Sequence, residues 1–244
     1  MDPEQESVRI ERLVNSYWKT HELLFEGERR RNTFLRGKYG REVVNESRRI
    51  ARRVARGDTE AYHELNDFVL RTGMTDDLPE VSLRGKETLR SLLTYLRSEN
   101  EPFTLADLGS GDGRIAIGLA AYLDTLERLY AIDISPYARE RMNANMLAQE
   151  EQETVRRKIV SLQGDYTSEE FRTKLFQYEP NGVDISLAAY PASNFEDIVP
   201  ILLGLTKPEG KIVVCYPQET GNLLYSTFGE ELLLGKNFDY QNEK

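Results

Sequence analysis

Apolar positions along this chain change their spacing near residue 80. Before that point they recur at roughly helical intervals: Val8, Leu13, Tyr17, Leu23 and Leu24, then Val43, Val44, Ile50 and Val54 set between arginines. Asp58 and Thr59 are suited to cap a further helix, AYHELNDFVLR, which Gly73 would end. Met74 to Val81 (MTDDLPEV) reads as a linker, with its proline and paired acids. After it comes an amphipathic helix, LRGKETLRSLLTYLRSE, and then a repeated unit of strand, turn and helix. FTLADLG, RLYAIDI, KIVSLQGD, VDISLAAY and KIVVCYP are apolar runs of strand length, while IAIGLAAYL, PYARERMNANMLAQ and FEDIVPILLGL are helical. LLYSTF and ELLLGKNF, beyond Pro217, predict an antiparallel hairpin closing the sheet.

Strands alternating with helices predict an α/β fold: a doubly wound, mostly parallel sheet. The pattern divides the chain into a helical extension, 1–80, and a main domain, 81–244. In sheets of this kind ligands lie beyond the carboxyl ends of the strands, where the strand order reverses. Candidate chemistry is therefore sought there.

Composition narrows the picture. A chain of 244 residues has room for one sizeable core and an appendage. No apolar run approaches the roughly 20 residues that cross a bilayer, and the acidic start is unlike a secretory signal, so a soluble, cytoplasmic protein is expected. The single cysteine, Cys215, excludes an internal disulfide and reads as a buried thiol. With only His21 and His63 besides, no metal-ligand spacing exists, and no metal is expected. The net charge of −9 opposes a general nucleic-acid coat. That charge is uneven, however, because the window from Arg29 to Arg56 carries eleven basic residues against Glu42 and Glu46.

The first strand runs into Asp107-Leu108-Gly109-Ser110-Gly111-Asp112-Gly113. Alternate glycines allow a sharp turn and a close ligand approach. A dinucleotide fingerprint would need glycine or alanine three residues after Gly111, where Arg114 stands. Asp107, two residues before Gly109, suits a cationic amino-acid ligand better than a phosphate. Two more aspartates end the next two strands: Asp133, followed by Ile134, and Asp165, followed by Tyr166. One strand-end aspartate alone is ordinarily a turn-former; three in succession point to a pocket. Asp184, at the start of its strand, reads as structural.

Asp-Leu-Gly-Ser-Gly-Asp-Gly resembles the first signature of the class I, Rossmann-like methyltransferases that depend on S-adenosylmethionine (SAM), whose sheet has seven strands. Ser135-Pro136 resembles the helix start that follows the family's ribose-binding acid, and Leu205 to Val213 its leucine-lysine-proline-glycine turn. The likeness covers residues 84–217. It implies SAM as cofactor, with Asp107, Gly109, Ser110, Gly111 and Gly113 around the methionine moiety, Asp133 and Ile134 at the ribose, and Asp165 and Tyr166 at the adenine. It also implies an acceptor over the end of the fourth strand, where Ala189-Tyr190-Pro191-Ala192 departs from the Asn-Pro-Pro-Tyr of base-amine methyltransferases. Tyr190 is the candidate catalytic residue, orienting an acceptor, or else it packs beneath the next helix. Arg114-Ile115 is also similar to the loop of lysine methyltransferases on this fold.

The extension adds two open questions. Tyr17, Trp18 and His21 lie within about one helical turn and form either aromatic walls for an acceptor or a helix core. The arginine pairs between Arg48 and Arg56 lie four apart on one helix face, either as a phosphate track or as a solvated face paired with acids of the same chain. The expected activity is methyl transfer to an acceptor, protein or RNA rather than a small molecule. The alternative is a non-catalytic SAM-binding or partner-binding protein on the same fold.

Overall fold

The computed structural model describes residues 5, 7–18, single helical positions between 46 and 64, and then 79–147, 152–189, 195–218, 221–228 and 231–232. Seven strands form one sheet: β1 (Phe103–Leu108), β2 (Leu126–Asp133), β3 (Ile159–Gln163), β4 (Val183–Ala189), β5 (Thr206–Gln218), β6 (Gly221–Phe228) and β7 (Glu231–Leu232). Their order is β3-β2-β1-β4-β5-β6-β7. The first five are parallel, β6 runs antiparallel beside β5, and β7 antiparallel beside β6. The order runs outward from β1 in both directions, so the switch point lies between β1 and β4.

Helices cover both faces: α1 (Pro79–Leu96), α2 (Arg114–Tyr122), α3 (Pro136–Leu147), α4 (Gln152–Lys158), α5 (Glu169–Tyr178) and α6 (Phe195–Leu205). Strand β1 is buried along its whole length and alternates its side chains between two apolar cores. Phe103 and Leu105 join the N-terminal helix, α1, α2, α3 and α4 on one face; Ala106 and Leu108 join α5 and α6 on the other. The helical stretch 7–18 lies on the first face through Ile10, Val14, Tyr17 and Trp18. That spacing of four, three and one makes a single stripe. Burial of such side chains contributes roughly 1.5–3 kcal/mol each, so four of them suffice to dock a short helix.

Several details differ from the pattern read off the sequence. The buried stripe runs through Ile10 and Val14, whereas Val8 is 46% exposed. Helix α1 begins at Pro79, inside the stretch read as linker, because proline at a first helical position sacrifices no hydrogen bond. Two helices were not foreseen. In α4, Glu153 stands in the first turn and Arg156, Arg157 and Lys158 in the last, a charge order that complements the helix dipole. In α5, Ser168 caps the helix by accepting from the Phe171 N–H at 3.1 Å, and Glu169 and Glu170 open the first turn. Strand β5 also starts earlier than expected: Thr206 pairs with Val183 of β4 and Lys211 with Ile185, so the Lys-Pro-Glu-Gly turn between them is carried as a bulge. The tail pairs as expected in sense, although β7 is only two residues long.

Candidate ligand site at the strand ends

The turn after β1 is fastened to its neighbour. Gly109 and Ser110 both donate their N–H to the Ile132 carbonyl, at 2.8 and 2.9 Å, and Gly111 donates to the Asp133 carboxylate at 2.8 Å. Gly113 donates to the Ser110 carbonyl at 3.0 Å, and the Arg114 N–H meets Asp112 Oδ1 at 3.3 Å. These donors are thus spent within the chain, and the turn does not present a phosphate-binding nest. Gly109, Gly111 and Gly113 have φ of 74°, 55° and 79°, a left-handed backbone that disfavours any side chain. A Cβ on Gly109 or Gly111 would meet open space, while one on Gly113 would lie 2.4 Å from Met142. The first two glycines therefore face open space, and the third lets α3 pack against the turn.

Asp107 is the unusual member. It sits on fully buried β1, 2% exposed, and its Oδ1 has no hydrogen-bond partner within the protein. Burial, and to a lesser degree the Asp133 carboxylate, push its pKa up to about 7. Two further buried side-chain oxygens lack partners, Ser110 Oγ in the same turn and Ser135 Oγ beyond β2. Ser135, just before α3, donates its N–H to Asp133 Oδ1 at 2.9 Å, and its hydroxyl oxygen has no partner. Asp133, 8% exposed, thus accepts one backbone bond on each oxygen. These two bonds aim the carboxylate.

Asp165 ends β3 as expected but is exposed, and its Oδ1 accepts from the Thr167 N–H at 2.8 Å and the Thr167 hydroxyl at 2.6 Å. It organises the turn into α5. Gly164 donates to the Asp133 carbonyl at 3.0 Å, which ties that turn to the end of β2. Tyr166 is half-buried against the α5 and α6 core, and Ile134 is half-buried beside Asp133. Asp107, Gly109, Ser110, Gly111, Asp133, Ile134, Asp165 and Tyr166 therefore follow the ends of three adjacent parallel strands.

Two supports were invisible in the sequence. Asn145 of α3, buried, donates its side-chain N–H to the Asp112 carbonyl at 2.8 Å. Arg114 Nε pairs with Asp112 Oδ2 at 2.6 Å. Burial alone would raise the Asp112 pKa, but the charges of Arg114 and Arg141 and the bonds from Arg114 outweigh it and hold the carboxyl below its usual range.

Tyr17 and Trp18 are 2% and 3% exposed and lie in the core between helices, their ring centroids 6.0 Å apart and edge-on. They are spent on packing, with Tyr17 reaching the turn through Arg114; His21 lies outside the described residues, as do Tyr190, Arg48 and Arg56. Arg49 pairs with Glu46 at 2.8 Å and with Glu64 at 2.7 Å, and Arg53 pairs with Glu64. Part of the basic stripe is thus answered by acids of its own chain. Cys215 is buried, with its thiol pushed up by burial and by the Asp107 charge. Among the described residues, no group of three potential metal ligands converges, and no helix is long and apolar enough to cross a membrane.

No protein-family model and no curated protein matches the sequence. Solved structures do match in fold. A precorrin-6y C5,15-methyltransferase from Geobacter metallireducens aligns at 16% identity over 55% of this chain and 65% of that one, with a TM-score of 0.42. The ribosomal protein L11 methylase of Lactobacillus delbrueckii subsp. bulgaricus aligns at 19% identity over 55% and 60%, with a TM-score of 0.40. A SAM-dependent methyltransferase from Thiobacillus denitrificans, solved with S-adenosylhomocysteine, aligns at 19% identity over 53% and 48%, with a TM-score of 0.39. The match spans less than two thirds of each of these three chains. At such identities the likeness is one of fold.

Proposed function

We propose that this chain is a SAM-dependent methyltransferase whose cofactor lies across the turn after β1 and the ends of β2 and β3. The observation that carries the reading is the unpaired Asp107 oxygen, buried beside a glycine turn whose own N–H groups are already engaged. A buried carboxylate without a partner is costly, and an ammonium group removes that cost. A nucleotide phosphate would add repulsion instead. The Ser110 and Ser135 hydroxyls offer two further polar contacts, Asp133 stands at the end of β2 where a pair of ribose hydroxyls would be met, and the space before Gly109 and Gly111 admits the ligand chain. These groups fit an aminoacyl nucleoside without phosphates.

When bound, SAM supplies an electrophilic methyl carbon for in-line displacement. The protein's part is to align the acceptor's electron pair and exclude water; a general base is not obligatory. Tyr190, just beyond β4, is the candidate for orienting the acceptor. The extension, 1–80, is the candidate for selecting a macromolecular acceptor, protein or RNA, in the cytoplasm. Labelled SAM incubated with cell extract should mark a protein or RNA band with the wild-type chain and not with Asp133→Ala. Binding of SAM without any labelled product would favour the non-catalytic reading, and uptake of NAD in place of SAM would overturn both.

A further inference from the structure

The Tyr17 hydroxyl is buried in an apolar core, where an oxygen must find a partner. Its partner is 97 residues away: it donates to the Arg114 carbonyl at 2.6 Å. Arg114 is the first residue of α2, directly after Gly113. The Tyr17 hydroxyl thus lies against the first turn of α2, close to the backbone of Gly118. Gly118 makes this approach possible, since a Cβ there would sit 3.2 Å from the Tyr17 ring and 2.6 Å from Leu89. The ring is held edge-on between Trp18 and Tyr122, at 6.0 and 5.9 Å.

The other side of the same residue faces the ligand turn. Arg114 bonds Asp112 through its backbone and its guanidinium, and Asn145 grips the Asp112 carbonyl. The turn is therefore fixed by Asp112 and Asn145 and, through Arg114, by Tyr17. The N-terminal helix is the one element of this set that joins the fold from outside the strand–helix repeat.

We propose that Tyr17 is a positioning residue for the cofactor turn, through which docking of the N-terminal helix and occupancy of the site favour one another. The inference rests on the cofactor reading above. Coupling of this kind is reciprocal and is carried by the Tyr17 hydroxyl: while the helix is docked, the bond to Arg114 is made and tightens the ligand, and the ligand steadies the docked helix to the same extent. An acceptor that engages the extension would then alter cofactor affinity without touching the cofactor.

Calorimetry with S-adenosylhomocysteine, together with hydrogen exchange of residues 10–18, tests this on the full chain. Tyr17→Phe keeps the ring and removes only the hydroxyl; it should weaken binding roughly fivefold, the value of one hydrogen bond. Val14→Ala, which trims apolar packing but leaves the helix docked and the Tyr17–Arg114 bond made, should leave the affinity within about twofold. Bound ligand should slow exchange in the helix of the wild type and fail to do so in Tyr17→Phe. Unchanged affinity in Tyr17→Phe, or equal weakening by Val14→Ala, overturns the inference while leaving the cofactor reading intact. A wild type that binds no S-adenosylhomocysteine overturns both.

Discussion

Asp107 and Asp184 occupy opposite ends of the same sheet and opposite chemical circumstances. Asp184, at the start of β4, accepts from the Thr104 N–H and hydroxyl at 2.8 and 2.9 Å and from Lys207 at 2.8 Å. Burial would raise its pKa, but Lys207 and Thr104 prevail and the carboxyl is held low. Asp107, at the end of β1, is more deeply buried, has an unpartnered oxygen and is raised to about 7. One carboxylate arrives with its partners and holds strands together; the other is kept waiting. Sequence alone would not separate two aspartates in β-strands except by which end they occupy, and that end is what the strand topology decides.

The contrast can be broken most forcefully at Asp107. Asp107→Asn should weaken S-adenosylhomocysteine binding roughly 10- to 100-fold, the range of a lost charge-assisted hydrogen bond. The same change should stabilise the ligand-free protein at pH 8 by a few kcal/mol. The sign follows from the raised pKa: the folded state holds an extra proton between the ordinary value of 3.8 and about 7, so stability falls as pH rises through that window, and asparagine removes the loss. Thermal melts at pH 5 and pH 8 measure it. Ligand affinity has the opposite slope, because only the ionised carboxylate pairs with an ammonium; between pH 5.5 and 7 it should rise by up to about tenfold per unit and then level off. Asp107→Asn should flatten that profile.

Asp184→Asn inverts the pattern. Its depressed pKa gives stability that is present above the ordinary carboxyl value and lost as pH falls through the folded value. Because the pair with Lys207 is about one third exposed, the change should cost only about 1 kcal/mol at pH 7, visible in urea titration. Ligand affinity should stay within about twofold, since the two ends of the sheet share no partner. An affinity loss like that of Asp107→Asn would show that the division of labour is wrong. The smallest effect is expected from Arg48, Arg49, Arg52 and Arg53 changed together to Gln, which should leave S-adenosylhomocysteine binding unaltered. If the stripe tracks phosphates, that variant should lose RNA binding; unchanged binding, or none in the wild type, rejects RNA as a partner of this face.

Much of the main domain was legible because β1 to β5 carry apolar runs and the turns between them carry glycine and aspartate. Helices α4 and α5 were not, since their stability comes from capping and charge order at Ser168, Glu153 and Lys158 rather than from a strong apolar stripe. In the N-terminal helix, Val8 and Ile10 are equally apolar, and only the position of α1 and α2 decides which one faces inward. The acids at the strand ends were identifiable by position. Their partners were not: the idle hydroxyl of Ser135, the grip of Asn145 and the reach of Tyr17 are consequences of packing between distant segments.

The separation of 97 residues from Tyr17 to Arg114 also bears on the order of assembly. A nascent chain releases Ile10, Val14, Tyr17 and Trp18 well before α2 exists to receive them, so this greasy stripe must wait while α1 and β1 are made before its neighbour follows. Closing so wide a loop is entropically unfavourable and is compensated only once the opposing helices stand. The seating of that first helix therefore falls late in maturation, and the turn after β1 attains its working shape only then.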